Sequence, residues 1–452
     1  MSDKLKELAE ERVGKLLWKF YLPSFVGVIA NALYNIIDRI FIGQGVGSMA
    51  LTGLSVVFPI MIIIMAFGML IGIGSGVFIS INLGKGDKLK AERVLGNGFL
   101  LMLITSLIVT VFGFLIKTPL LNLFGATAET KGYAQDYLDI ILLGTVFQMV
   151  GFSMNNIIRS EGNAKVAMYS MLISAGTNAI LAPIFVFGFG WGVKGAAWAT
   201  VLSTFILMIW VLMHFTSKRS LLKLRWENMK PDRKVIMGIV GIGMAPFSMQ
   251  LAASVIQGIY NVKLIHFGGD IAVGAMGIIN SVSIIIIMSI VALNMASQPI
   301  VGYNYGAKAY GRVRQTLFLC LKSATIISIV AWVVILLFSG SIIKVFNHND
   351  FSLYEIGKHG LKAVLTCLPI VGFQVIASNF FQSVGRVKTA MLLSVLRQVL
   401  ILVPLLLILP YFWGIDGVWY AGPTADFISA MIVLFYITKE WKRLRLLEQG
   451  RI

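Results

Sequence analysis

Charged side chains are scarce in this sequence. Only 13% of its 452 residues are Asp, Glu, Lys or Arg, where a soluble globular chain carries roughly 25%. That supply does not cover a water-exposed surface, which argues against a soluble domain. Cysteine is nearly absent: Cys320 and Cys367 lie in or near apolar runs, with no CxxC or Cys/His spacing. Neither a disulfide framework nor a thiolate metal site is suggested. The four histidines, His214, His266, His348 and His359, are scattered at the ends of apolar runs or in loops. No HExxH pair and no Walker string occurs, so a zinc enzyme or an ATPase has no residue support, and no other catalytic constellation stands out. The glycine-rich GMLIGIGSG (Gly68–Gly76) is no phosphate loop, since no lysine follows it; it suits close helix packing. The alternation over roughly ten residues that marks a membrane β-barrel is missing. So is a short apolar core followed by a small-residue cleavage site. Residues 2–15, SDKLKELAEERVGK, mix acids with bases and read as a short amphipathic helix on the cytosolic side.

Apolar residues are abundant instead. They make up 58% of the chain, and the mean hydropathy is +0.86. Runs of helix-spanning length recur and predict an all-α polytopic membrane protein. Twelve spans are expected, near 16–42, 53–80, 94–116, 134–158, 166–188, 194–215, 238–265, 273–301, 313–338, 356–382, 389–410 and 416–438. The net charge of +18 does not indicate nucleic acid, because the basic residues fall in alternate short loops. The N-terminus, the loops near 81–93, 159–165, 217–237, 302–314 and 383–388, and the tail 439–452 hold 4, 4, 2, 7, 3, 2 and 5 Lys/Arg. The opposite side holds fewer, so both termini are expected in the cytosol.

The chain repeats itself at an offset of about 222 residues. SINLGKGDK (Ser80–Lys88) pairs with GYNYGAKAY (Gly302–Tyr310), and NNIIRSEGNAKVAM (Asn155–Met168) with SNFFQSVGRVKTAM (Ser378–Met391). WGVKG from Trp191 pairs with WGIDG from Trp413, Pro23 with Pro246, and Pro183 with Pro404. The expected organisation is a first lobe over 1–216, a basic cytosolic linker over 217–237 and a second lobe over 238–452. Six spans per lobe is an even number, so both lobes enter the membrane from the same side. That makes a parallel repeat about an axis along the membrane normal, an arrangement of transporters.

Polar groups inside these spans are costly and ask for a reason. Asn31, Tyr34, Asn35 and Asp38 are spaced i, i+3, i+4, i+7 and share one helix face. Gln148, Asn155 and Arg159 share a face of span four; Ser170, Ser174, Thr177 and Asn178 share one of span five; Thr200, Ser203 and Thr204 add hydroxyls in span six. Interhelical hydrogen bonding explains Ser, Thr and Asn in a bundle, but not a carboxylate. Asp38 is therefore the expected functional group. Arg39 is a poor partner for it, because adjacent helical residues point about 100° apart, and reaches instead for the headgroups. The second half carries Gln250, Ser254, Gln257 and Asn261 on the matching face, with Tyr260 in the place of Asp38. Arg397 in span eleven and Asp426 in span twelve read as a structural ion pair. The 21 methionines serve either as apolar filler or as an adaptable pocket lining.

On YNIIDRIFIGQGVGSMALTGLS (Tyr34–Ser55), RSEGNAKVAM (Arg159–Met168), NAILAPI (Asn178–Ile184), SQPIVGYNYGAK (Ser297–Lys308) and the two six-span halves, the chain resembles the multidrug and toxic compound extrusion (MATE) family over nearly its whole length. The resemblance implies twelve transmembrane helices in two pseudo-symmetric lobes around a V-shaped central cleft. It implies a secondary active antiporter of the plasma membrane that exports amphipathic, often cationic organic compounds in exchange for H⁺ or Na⁺. The cation-coupling group it points to is Asp38 with Asn178 and Thr200. The substrate cavity is expected to involve Asn31, Tyr34, Asn35, Gln148, Asn155, Gln250 and Gln257. No cofactor, metal or nucleic acid is expected, and the partners are the small-molecule compounds and the lipid bilayer, with the protein acting as a monomer. One departure matters: relatives commonly carry an acid within N-x-x-L-D-P, and here Ala182 stands in its place. A lone carboxylate in a low-dielectric site favours its neutral form, which suits H⁺ coupling better than a two-carboxylate Na⁺ site. The alternative function is a lipid-linked precursor flippase, which should present several cationic groups to the cavity where this chain centres only Arg397. A passive channel fits poorly with the repeat and with Asp38.

Overall fold

The computed structural model describes residues 3–346 and 351–451, with the side chains of Asp3, Asn35, Ser48, Asp270, Val345, Phe346 and Phe351 also outside the description. Among the described residues the chain is helical apart from its turns and much of the segment 217–232, with no strand. His348 lies outside them. The short helix α1 (Asp3–Glu10) is followed by α2 (Val13–Gly45), α3 (Ser48–Gly84), α4 (Lys88–Leu123), α5 (Lys131–Ser160), α6 (Ala164–Pro183) and α7 (Gly192–Thr216). After the linker come α8 (Arg233–Gly269), α9 (Ile271–Gly306), α10 (Tyr310–Lys344) and α13 (Val387–Trp413). Between the last two lie α11 (Phe351–Val364) and α12 (Leu368–Ser383), and α14 (Ile415–Glu448) closes the sequence. Among the described residues eleven helices are long and apolar enough to cross a membrane, and the pair Ser352–Val364 and Leu368–Ser383, bent by 46°, brings the number to twelve if it counts as one span. The break has a local cause: Pro369 sits in the first turn of α12, where its missing N–H is no loss. The helices outrun the apolar runs that predict them, for instance Lys88–Leu123 against 94–116 and Ile415–Glu448 against 416–438, because helical hydrogen bonding continues through polar residues as well as apolar ones.

The repeat is visible in the backbone at the C-terminal ends of α3 and α9. After α3, Gly86 has φ 78; its N–H donates to Leu83 O at 3.1 Å, and Asp87 N–H to Asn82 O at 3.0 Å. After α9, Lys308 has φ 58; its N–H donates to Tyr305 O at 3.2 Å, and Ala309 N–H to Asn304 O at 2.9 Å. Both are Schellman caps, but only one has glycine at the left-handed position. A side chain there costs about 1 kcal/mol. Lys308→Gly is therefore expected to stabilise the protein by up to ~1 kcal/mol, read as a higher unfolding temperature in detergent. An unchanged or lower temperature would mean that the Lys308 side chain contributes something that offsets its strain.

Two compact units divide the chain: Met1–Glu11 with Trp18–Phe247, and Arg12–Leu17 with Ser248–Ile452. In the first unit α5 is the centre, packed against α3, α4 and α7, with α6 on α7. Close approach depends on small residues: a Cβ on Gly243 would fall 1.7 Å from Leu70 O, and one on Gly74 2.2 Å from Ile239 O. The linker of residues 217–237 packs on this unit. Asn97 of α4 donates to Asn228 O and Lys230 O at 3.2 Å and accepts from Asp232 N–H at 2.8 Å. At its other end the linker is held by Glu161, which is fully buried. Glu161 accepts from His214 Nε2 at 2.5 Å, Ser220 Oγ at 3.0 Å, the N–H groups of Leu221 and Leu222 at 3.2 Å, and Asn163 Nδ2. Lys4 of α1 joins this corner through Arg219 O at 3.0 Å. Partial burial lowers its ammonium below the ordinary lysine range, and the nearby Glu161 carboxylate opposes that shift. In the second unit α12 packs on α10 and α14, and α13 on α14.

Candidate functional site

Asp38 lies in the C-terminal third of α2 and is only 5% exposed. Its Oδ1 is buried and has no hydrogen-bond partner among the described residues. Arg39 does not neutralise it by contact; its guanidinium sits 4.9 Å from the centre of the Phe58 ring, a cation–π placement. Asn178 of α6 is fully buried. Its Nδ2 donates to Thr200 Oγ1 of α7 at 3.2 Å, while its Oδ1 is also buried without a donor. Thr200 is held from behind by its own helix, with Ser203 Oγ and Thr204 Oγ1 donating to its carbonyl at 2.8 and 3.0 Å. Tyr137 of α5 completes the cluster: it is buried, hydrogen-bonds the Thr200 side chain, and lies within the field of Asp38 and Tyr34. The first, fourth, fifth and sixth spans of this unit thus converge on a core in which two oxygens, a carboxylate's and an amide's, have no donor. Buried polar atoms are rarely left so.

The other residues singled out in the sequence fall in several places. Asn31 and Tyr34 are half-buried on the α2 face and each has a partner; the Asn35 side chain lies outside the described residues. Gln148 is half-buried. Asn155 is buried and its amide is spent on packing: Nδ2 donates to Ala167 O at 2.7 Å and Ser170 Oγ at 2.6 Å, and Oδ1 accepts from Arg159 at 3.1 Å. It joins the C-terminal end of α5 to the N-terminal part of α6. Gln250 is half-buried, and Gln257 is exposed, its Nε2 donating to Asn261 Oδ1 at 3.4 Å. Ala182 is fully buried. No group of three or more His, Cys, Asp or Glu able to hold a metal occurs among the described residues.

The second unit has a core of its own. Arg397 Nε donates to Asp426 Oδ1 at 2.5 Å. Asp426 is nearly buried, with 9% of its side chain exposed, and Arg397 keeps 32%. Tyr260 of α8 is buried, lies within the field of both charges and rests its hydroxyl against the Gly422 backbone. Gln374 of α12 donates to Ser429 Oγ at 2.5 Å, one turn below Asp426. Tyr137 and Gln374 escape a search by spacing; each joins its core through a neighbouring helix, a relation that periodicity along one helix does not carry.

The MatE family model matches the chain twice, over residues 23–184 and 246–408, once in each half of the repeat. The chain is similar to the multidrug export protein MepA of Staphylococcus haemolyticus, at 27% identity over 436 residues and 96% of each chain. It is also similar to MepA of Staphylococcus aureus strain MRSA252, at 25% identity over 96% of each. Among solved structures, the MATE multidrug transporter DinF-BH is 38% identical, with a TM-score of 0.91 over 97% of this chain and 98% of that one. A MATE structure in the bent conformation shares the fold, with a TM-score of 0.93 at 23% identity over 99% of this chain and all of the other.

Proposed function

The chain belongs to the MatE family of multi-pass membrane transporters, and from that membership we propose that it is a cation-coupled exporter of amphipathic, often cationic organic compounds. It works by alternating access in the plasma membrane with both termini cytosolic, as the distribution of basic loops favours. The observation that carries the coupling is the orphaned Oδ1 of Asp38, linked through Tyr137 and Thr200 to Asn178, whose Oδ1 is orphaned as well. Both are acceptors. A proton cancels the carboxylate charge and turns one of its oxygens into a donor. Hard cations also prefer oxygen ligands, and Asp38, Asn178 and Thr200 offer them to Na⁺. With Ala182 in place of a second acid, the core has one negative charge to neutralise, and H⁺ is the favoured coupling ion. A cationic drug favours the ionised carboxylate, so ion and drug each weaken the binding of the other, and that linkage is reciprocal.

A flippase for lipid-linked precursors would need free cationic groups to hold its pyrophosphate, and Arg397 is already engaged by Asp426. The test is efflux of a fluorescent organic cation from proteoliposomes with a pH gradient and a Na⁺ gradient imposed separately. The pH gradient alone should drive efflux. Efflux under the Na⁺ gradient with pH clamped would move the coupling to Na⁺, and silence under both would sink the antiport reading.

A further inference from the structure

The two polar cores draw on the same spans of their halves. Tyr260 is the counterpart of Asp38, and Asp426, placed by the Trp191–Trp413 pairing, is the counterpart of Thr204. The acid has therefore moved from the first span of the unit to the sixth. A base has arrived with it: Arg397 comes from the fifth span, from within a π-helical turn, Leu396–Leu402. In the first core the carboxylate oxygen Asp38 Oδ1 and the amide oxygen Asn178 Oδ1 are left without donors. In the second, Arg397 Nε meets Asp426 Oδ1 at 2.5 Å. Tyr260 and the thiol of Cys367 also lie within the field of Asp426, and neither brings a positive charge.

We propose that Arg397 is a tethered stand-in for an exchangeable cation: it occupies, within the fold, the place against Asp426 that a mobile cation would take, so the second unit exchanges none. Asp426 is thereby withdrawn from ion coupling. The assignment of all coupling to the first unit rests on the reading of Asp38 given above; the tethered-cation relation between Arg397 and Asp426 does not.

Removing the tether should turn the second core into a cation site. Arg397→Ala leaves Asp426 without its counter-charge and opens space of about the shape of a guanidinium. Purified Arg397→Ala should unfold at a lower temperature than the wild type, and millimolar guanidinium or methylguanidinium should restore most of the loss, while choline at equal ionic strength should not. The wild type and the double variant Arg397→Ala/Asp426→Asn should show no such recovery. If Arg397→Ala does not fold, Arg397→Gln takes its place in the same measurement, with Arg397→Lys expected to retain wild-type stability. Loss of stability with no cation-specific recovery in either variant, or equal recovery in the double variant, overturns the proposal. Since the readout is thermal unfolding, it stands or falls independently of whether Asp38 couples transport.

Discussion

Asp38→Asn is expected to fold, insert and bind drug, yet to export at background rate. The substitution keeps the shape of the side chain and removes only its ability to ionise. Little stability should be lost, because the buried Oδ1 of Asp38 makes no hydrogen bond among the described residues and an unpaired buried charge is itself a cost. What disappears is the exchange of one ligand for the other through a shared carboxylate. Drug affinity in the wild type should change across the titration of the site by roughly 5–150-fold, the usual range of coupling between sites. In Asp38→Asn it should be flat with pH and with Na⁺. Equilibrium binding of a fluorescent drug over a pH series, alongside efflux from proteoliposomes, measures both. Wild-type export with preserved ion dependence would place the coupling group elsewhere.

Glu161→Ala should be the most damaging substitution outside the spans. The carboxylate is fully buried and gathers donors from the α5–α6 turn, the end of α7 and the linker. Truncation strands an imidazole, an amide and two backbone N–H groups without their acceptor, while the Ser220 hydroxyl keeps Leu222 O at 2.7 Å. Loss of one member of a buried charged cluster costs about 3–5 kcal/mol. Ser220→Ala removes one of the same bonds and should cost only about 0.5–1.5 kcal/mol. Thermal unfolding of both variants in one detergent compares them directly. If Glu161→Ala is no worse than Ser220→Ala, Glu161 does not organise this corner.

The architecture was legible because two periodic signals are strong: apolar runs long enough to span a bilayer, and a repeat whose punctuation recurs as matched caps at Gly86 and Lys308. Asp38 was legible for the opposite reason, as a charge where charge is expensive. The pairing of Arg397 with Asp426 followed from the same cost. Less could be read about which polar residues share a core. Asn155 and Arg159 sit on a stripe that resembles a cavity face, yet the structure spends Asn155 on Ser170 and on Arg159. Tyr137 looks like an ordinary aromatic at the start of span four, and only the approach of α5 to α2 and α7 brings it to Asp38 and Thr200. The bent helix pair in the second half reads as continuous in sequence, because an apolar run does not reveal where its hydrogen bonding is interrupted.

The wide turns at Ile184–Gly188 and Leu396–Leu402 bear on how sequences of this kind are to be matched. A π turn is an α-helix with one residue inserted. Beyond it every side chain is out of phase by the angle of one residue, about 100°. Ile184–Gly188 closes its span, but Leu396–Leu402 lies between Val387–Val395 and Val403–Trp413; the fifth span of the second half therefore consists of two stretches in different rotational phase, and a helical wheel drawn through it places the residues beyond the turn on the wrong side of the helix.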